Sequence, residues 1–368
     1  MKVLFLQNQI GFEGRGRISI EIISILNSYG IIPDLLTFSK KRLVEQYQQG
    51  VINNIKCNII RVPYPISMGF IPQVLLLNYL SRYKIDNYDL VFNFNDNFYF
   101  LPNNARYIHY FADPLEDSFS KLDNLPRFSL RKYYLLFFSL LCRHLPKNTR
   151  GRMIVISNFT EVRLLRQYPQ LEGTILKIYP PCFQENTLSF GSKENFYDVV
   201  SIGTFSEGKG QLNQIKIAER HKKIKFGIIG LVFNRRYFQE CLNYKISRGI
   251  QNVDLLPDIT RNEMLNILKQ SKVFLHYKRE EGFGISTVEA IASGCIPIVP
   301  NSGGQIEVVP FPELRFEEDD EIGDILTNLL TLDIRKTKQL VNDLQQHIRQ
   351  FSVERFRANI VEILKDLI

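Results

Sequence analysis

Two glutamates eight positions apart, set in a glycine-containing turn, are the clearest chemical signal in this 368-residue chain. The segment Glu280-Glu281-Gly282-Phe283-Gly284-Ile285-Ser286-Thr287-Val288-Glu289-Ala290 follows the apolar run Val273–His276 and opens a helical pattern at Thr287. A glycine turn leading into a helix start presents free backbone N–H groups, with the positive end of the helix dipole behind them. Such a place suits phosphate or sugar oxygens. Glu281 lies in the turn and Glu289 inside the helix, so the two carboxylates reach different parts of one ligand. A carboxylate that accepts from two vicinal hydroxyls grips a ribose or a hexose. A little further on, Gly294-Cys295-Ile296-Pro297-Ile298-Val299-Pro300-Asn301-Ser302-Gly303-Gly304 reads as a strand ending in a second glycine-rich turn. Two such turns side by side can line one pocket.

Positioning these groups requires strands that end where the turns begin. The first half alternates short apolar runs, at Val3–Gln7, Asp34–Phe38, Asn58–Val62, Asp89–Phe94, Tyr107–Phe111 and Met153–Ser157, with helical patterns. The first helix spaces Ile18, Ile22, Ile25 and Leu26 on one face, and Ser157-Asn158 caps another. Pro180 to Asn195 lacks periodicity and reads as a linker. A second series follows, with strands at Asp198–Gly203, Lys225–Leu231, Val253–Leu256, Val273–His276 and Ile296–Val299. Helices lie between them at Gln211–Arg220, Arg261–Gln270 and Thr287–Ser293. Runs of this kind form buried parallel sheets. The expected architecture is α/β, two Rossmann-like domains facing across a cleft, with ligands at the carboxyl ends of the strands. The expected bounds are 1–180 and 195–350, with an amphipathic helical pattern over 351–368. Glycines at 11, 14 and 16 follow the first strand, His109 sits toward the end of the strand at 107–111, and Asp113 follows it.

Hydrophobic residues make up 45% and charged residues 23% of the chain, a globular balance. Five scattered cysteines form no close pair, which favours a reducing compartment over a disulfide framework or a zinc site. The first residues run from one lysine into an apolar stretch that Asn8 and Gln9 stop early, so they read as a strand and not a targeting segment. Residues 1–180 hold 22 Lys and Arg against 13 Asp and Glu, so the whole net charge of +8 sits in that half. No nucleic-acid signature accompanies it. An anionic membrane surface or a phosphate-bearing acceptor fits, as does a generally basic surface. Lys132–Arg143, KYYLLFFSLLCR, is far shorter than the ~20 residues of a membrane span. It reads either as an interfacial helix with basic flanks or as a buried core helix.

The stretch from His276 to Glu307, with EGFGISTVEAIASGCIPIVPNSGGQIEVV, resembles the donor-binding core of the retaining GT4 glycosyltransferases. The resemblance implies a GT-B fold, with the first domain on the acceptor side and the second holding the donor nucleotide. It implies Glu289 on the ribose, Glu281 on the hexose, and Gly282, Phe283, Gly284, Ile285, Ser302 and Gly303 around the donor. VSIGTFSEGKGQLNQ, from Val200, is similar to the family's first donor-domain loop. Lys209 matches its diphosphate lysine, but Thr204 stands where an arginine is usual. Arg15, Arg17, Arg235 and Arg236 are candidate substitutes. Gly14 and Gly16 match the family's glycine loop near donor and acceptor, loosely. His109 matches a histidine near the transferred sugar, in a Tyr-x-His-Tyr context similar to lipid-linked-oligosaccharide mannosyltransferases. Asp113 is a candidate on the acceptor. His276 is a candidate pocket wall, and 254–259 matches the place where the family meets the base.

The implied reaction moves a hexose from GDP-mannose or a UDP-hexose to a glycan or lipid-linked acceptor, with retention. It needs no cofactor and no metal, because Lys209 neutralises the leaving diphosphate. The implied place of action is cytoplasmic, at the inner face of a membrane. Two other readings stand beside it: a GT-B nucleotide-sugar epimerase, and a silent sugar-nucleotide-binding subunit.

Overall fold

The computed structural model describes residues 1–7, 14–38, 55–62, 87–95, 101, 106–112, 129–144, 149–190 and 196–365. The chain divides into two compact units, Met1–Pro181 with Phe356–Ile368, and Cys182–Arg355.

The first unit holds a seven-stranded sheet in the order β3-β2-β1-β4-β5-β6-β7. Its strands are β1 (Val3–Leu6), β2 (Asp34–Thr37), β3 (Asn58–Arg61), β4 (Leu90–Asn93), β5 (Arg106–Phe111), β6 (Arg152–Val155) and β7 (Ile175–Lys177). All pairs are parallel, with Phe5 opposite Leu35 on one side and Phe92 on the other. β1 and β4 are buried along their whole length, which is why they read as unbroken apolar runs and not as alternations. Phe5, Phe92 and Phe94 stack on one another within this core. The helix Arg15–Ser28 buries Ile18, Ile22, Ile25 and Leu26. Ser157 caps the helix Asn158–Gln167, exchanging bonds with Thr160. In the last helix, Val353–Lys365, the Arg357 guanidinium donates to Glu21 at 2.7 and 2.9 Å.

The second unit holds a six-stranded sheet in the order β10-β9-β8-β11-β12-β13. The strands are β8 (Tyr197–Ile202), β9 (Phe226–Gly230), β10 (Val253–Pro257), β11 (Ser271–Leu275), β12 (Ile296–Pro300) and β13 (Arg315–Phe316). Counted within the unit the order is third, second, first, fourth, fifth, sixth. The winding direction therefore reverses between β8 and β11, the place where open α/β sheets bind ligands. β8 and β11 pair in parallel with Val200 opposite Phe274, so the segments that leave their carboxyl ends emerge side by side. Val199, Ile228, Val273 and Ile298 fill the core on one face. Helices Arg235–Ser247, Glu321–Leu330 and Ile334–Ile348 complete the unit.

The stretch read as a linker is built into this second unit over 182–190. Cys182 N–H donates to the Phe351 carbonyl, Val353 N–H donates to Phe183, and Ser189 N–H donates to Ala292. Residues 191–195 lie outside the described part.

Candidate active site

The segments after β8 and β11 carry one charged cluster at the reversal point of the second sheet. Lys209 ends a short turn, Glu207–Lys209, seven residues beyond the last residue of β8. Its ammonium donates to Glu281 Oε2 at 2.6 Å. Lys278 Nζ lies 3.2 Å from the same oxygen, and His276 Nε2 lies 3.8 Å from it. Two lysines therefore converge on one carboxylate whose side chain is only 22% exposed. Burial alone would raise the Glu281 carboxyl. Lys209, with His276 and Lys278 behind it, outweighs that and holds the group down to about 2. Glu281 is thus an ionised hydrogen-bond acceptor, too weak a base to take a proton near neutrality.

His276 is buried just after β11, its backbone N–H donating to Ile298 at 2.9 Å. Burial pushes its imidazole down to about 4; Glu281 opposes the fall, and Lys209 and Lys278 deepen it. Its Nε2 has no hydrogen-bond partner among the described residues. Gly203, Lys209, Gln211, Gln214, His276 and Lys278 line one small pocket. Gln211 fixes the end of β8, donating to the carbonyls of Gly203 and Thr204.

Beyond Glu281 the chain turns into the helix Ile285–Ala292. Gly284 is its N-cap residue, with φ of 124° and no side-chain cap. The first helical N–H groups, of Ile285 and Ser286, have no acceptor among the described residues, as expected of an uncapped start. A Cβ on Gly284 would lie 2.4 Å from the Gln305 side chain, so only glycine fits there. Gln305 is fully buried with both amide atoms unpartnered among the described residues, as is Thr287 Oγ1.

Ser302 and Gly303 pack on the loop. Ser302 Oγ accepts from Glu280 N–H at 3.1 Å, and Gly304 N–H donates to the Glu281 carbonyl at 2.8 Å. A Cβ on Gly303 would sit 2.5 Å from the Glu281 carbonyl oxygen, and one on Gly304 2.4 Å from that of Gly282. The second glycine turn is therefore a backbone-on-backbone clamp, and it holds Glu280 at φ of 51°. Phe283 is buried edge-on against Phe351, so its ring is core and only its backbone faces the turn.

Glu289 sits one helical turn further in, its side chain 8% exposed, accepting from Arg261 Nη2 at 2.6 Å. Arg261 opens the helix Arg261–Lys269 behind the capping box of Thr260 and Glu263, four residues after β10 ends. Among 254–259, Asp258 has φ of 53°, and its carboxylate accepts from Val232 N–H at 2.9 Å.

In the first unit His109 lies within the sheet. β5 places it opposite Asn93 of β4, and it is fully buried. Asn93 Nδ2 donates to Nδ1 at 3.1 Å, and Nε2 donates to the Arg150 carbonyl at 3.1 Å. Tyr107 and Phe111 stack on either side of the ring. Burial holds it neutral, with its pKa down to about 4. Both ring nitrogens are thus engaged within the sheet in this structure. Gly14, with φ of 53°, caps the helix Arg15–Ser28, and buried Gly16 accepts from Ser19 Oγ at 2.9 Å. Asp113 and residues 11–13 lie outside the described part, as does the Arg15 side chain. Arg235 and Arg236 are exposed at the start of their helix.

Sequence reasoning missed Lys278, Arg261 and Gln305. Lys278 stands three residues before Glu281, and a basic residue at that spacing was the available signal.

Residues 183–313 match the family model of glycosyl transferases group 1. The mouse protein named GDP-Man:Man(3)GlcNAc(2)-PP-Dol alpha-1,2-mannosyltransferase is 25% identical over 334 residues, which cover 81% of this chain and 64% of that one. The chain spans less than two thirds of the length of the curated relatives it matches. Among solved structures, Anabaena HepE in complex with UDP and glucose aligns over 100% of both chains, with a TM-score of 0.74 and 17% identity. WaaG, a glycosyltransferase of lipopolysaccharide biosynthesis, aligns over 98% of this chain and 99% of its own, with a TM-score of 0.71 and 15% identity. The fold is the GT-B fold, with two Rossmann-like domains.

Proposed function

We propose that this chain, whose residues 183–313 form a glycosyl transferases group 1 domain, transfers a hexose from a nucleoside-diphosphate sugar to a glycan or lipid-linked acceptor. The observation that carries the reading is Glu281, ionised and held between lysines at the reversal point of the second sheet, beside an uncapped helix start. In this reading the helix start and Lys209 receive the diphosphate, and Glu289 accepts from the ribose hydroxyls. Glu281 accepts from hydroxyls of the hexose. Its depressed pKa makes it a poor base and a poor nucleophile, which supports departure of the diphosphate with the acceptor entering on the same face. The leaving phosphate then takes the acceptor proton, and the configuration is retained. Fixed cations aimed at the developing charge do the work of a metal ion, so none is required. The donors named for the relatives, GDP-mannose and UDP-glucose, define the first candidates.

The test is proton NMR of the protein with GDP-mannose or UDP-glucose, without acceptor. Slow release of nucleoside diphosphate and free hexose supports a transferase site and excludes a silent binding subunit. A sugar nucleotide returned with an inverted sugar carbon indicates an epimerase instead.

The acceptor side is proposed to lie at an anionic membrane, and the helix Leu130–His144 supports this. Leu130, Tyr133, Phe137 and Leu140 share one exposed face, with Phe137 69% exposed, while Phe138 on the other side is 1% exposed. The helix thus has one buried face and one exposed apolar face. No helix among the described residues is long and apolar enough to cross a membrane. Apolar side chains beside basic flanks suit the headgroup layer, and each basic residue near an anionic surface contributes ~1 kcal/mol. Replacing Leu130, Phe137 and Leu140 with serine should abolish co-sedimentation with phosphatidylserine vesicles and leave the fold intact. Unchanged sedimentation would remove this helix from the account.

A further inference from the structure

Thr204 stands where the resemblance leads one to expect the second diphosphate cation, and the structure offers a cation from elsewhere. We propose that Lys278 fills that role, so that Lys209 and Lys278 together clamp the diphosphate of the donor. This rests on the hexosyl-transfer reading of the site.

Three observations carry it. First, the two ammonium groups lie against the same oxygen, Glu281 Oε2, Lys209 hydrogen-bonded at 2.6 Å and Lys278 ion-paired at 3.2 Å. They are therefore close enough to bond neighbouring oxygens of one diphosphate. Second, Lys278 leaves the carboxyl end of β11 and Lys209 follows β8, so the pair straddles the reversal point where the sheet would hold a phosphate. Third, buried His276 lines the same pocket, with its Nε2 unpartnered among the described residues and 3.8 Å from Glu281 Oε2. Two lysines against one carboxylate leave the cluster one positive charge in excess. Glu281 is the internal counter-ion, and the incoming diphosphate takes its place on the lysines. That frees the carboxylate to accept from the hexose. Arg279, the next residue, does not share the role: its guanidinium faces Asp319 at 3.8 Å and lies over the Phe316 ring.

The experiment is calorimetric titration of UDP and GDP into the full chain and three variants: Lys278→Met, Lys278→Arg and Arg279→Met. Folding of each is checked by circular dichroism. Glu281 keeps Lys209 in the Lys278→Met variant, so that variant is expected to fold. Loss of one charge-assisted contact should weaken diphosphate binding about 10- to 100-fold in Lys278→Met. Lys278→Arg should stay within about threefold of the parent, and Arg279→Met within about twofold, since neither removes a cation from the clamp. Nucleoside diphosphate affinity in Lys278→Met within about twofold of the parent, or an equal loss in Arg279→Met, would overturn the inference. A Lys209→Met variant separates the failures. If it loses affinity while Lys278→Met does not, the transferase reading stands and the role of Lys278 falls. If the parent binds neither UDP nor GDP, the transferase reading falls and takes the inference with it.

Discussion

Removing the Glu289 carboxylate separates its contribution to donor binding from its contribution to the fold. The partner that Glu289 holds, Arg261, has a side chain 48% exposed, so it returns to water when the carboxylate goes. With one partner half-exposed to water, the pair contributes ~1 kcal/mol to stability. The helix interior tolerates alanine well, which offsets part of even that loss. A ribose hydroxyl donating to the nearly buried carboxylate is a charged hydrogen bond, and losing one costs ~1.5–3 kcal/mol, or about 10- to 150-fold in affinity. Glu289→Ala should therefore melt close to the parent yet bind GDP or UDP at least about tenfold more weakly. The control is the 2′-deoxy nucleotide. The parent should discriminate against it, whereas Glu289→Ala should bind ribo and deoxy forms alike. Calorimetry on the four combinations gives the coupling directly. A variant that binds GDP and UDP as the parent does, or that still prefers the ribo form, would refute the ribose role.

His109→Ala should cost ~2–4 kcal/mol of stability by urea unfolding, because it removes the bonds from the Asn93 amide and to the Arg150 carbonyl and opens a cavity. Its kcat/KM for the folded protein should change little; a large fall in kcat at unchanged stability would restore His109 to the chemistry. His109 and His276 are held neutral in the folded protein, with pKa values down to about 4 from the ordinary 6.5. Between those values the unfolded chain binds the extra protons, so stability should fall as pH drops from 6.5 toward 4. Glu281, lowered from 4.5 to about 2, adds a further loss across that lower window. A urea midpoint that does not move between neutral pH and pH ~5 would contradict the neutral buried histidines. Sugar release or transfer should persist in excess EDTA, since Lys209 and Lys278 supply the positive charge; loss restored by Mg²⁺ or Mn²⁺ would show that they do not suffice.

The legible part of this site was the part that is contiguous in sequence. Glu281, Gly284 and Glu289 fall on one strand-to-turn-to-helix unit, and its spacing alone shows where the two carboxylates go. Pairings between segments were not legible, because they depend on which strands are neighbours. Lys278 and Lys209 meet because β11 pairs with β8, and Arg261 reaches Glu289 across the sheet end from β10. The same limit hid the partners of His109. Its position in the apolar run was clear, but only the β4–β5 register shows that it faces Asn93. Ser302 and Gly303 were recognisable as a turn, yet glycine types do not reveal whether a close approach is to ligand or to backbone. Here it is to backbone, at 2.5 Å from a virtual Cβ on Gly303. The segment around Phe137 and Phe138 was ambiguous by composition, since both faces of the helix are apolar and only burial tells them apart. β7 and β13, of three and two residues, are too short to leave a pattern.

The central claim is that the second unit binds a sugar nucleotide through its diphosphate and ribose. A thermal-shift panel of GDP-mannose, UDP-glucose, GDP, UDP, guanosine and uridine tests it most directly, because a ligand that binds only the folded state raises its melting temperature. At 100 times its Kd such a ligand adds ~2.7 kcal/mol, a shift of several degrees. The account predicts that the diphosphates and sugar nucleotides of one base raise the melting temperature, and that both nucleosides leave it unchanged. A flat response to all six, or equal shifts from nucleosides and diphosphates, would contradict it.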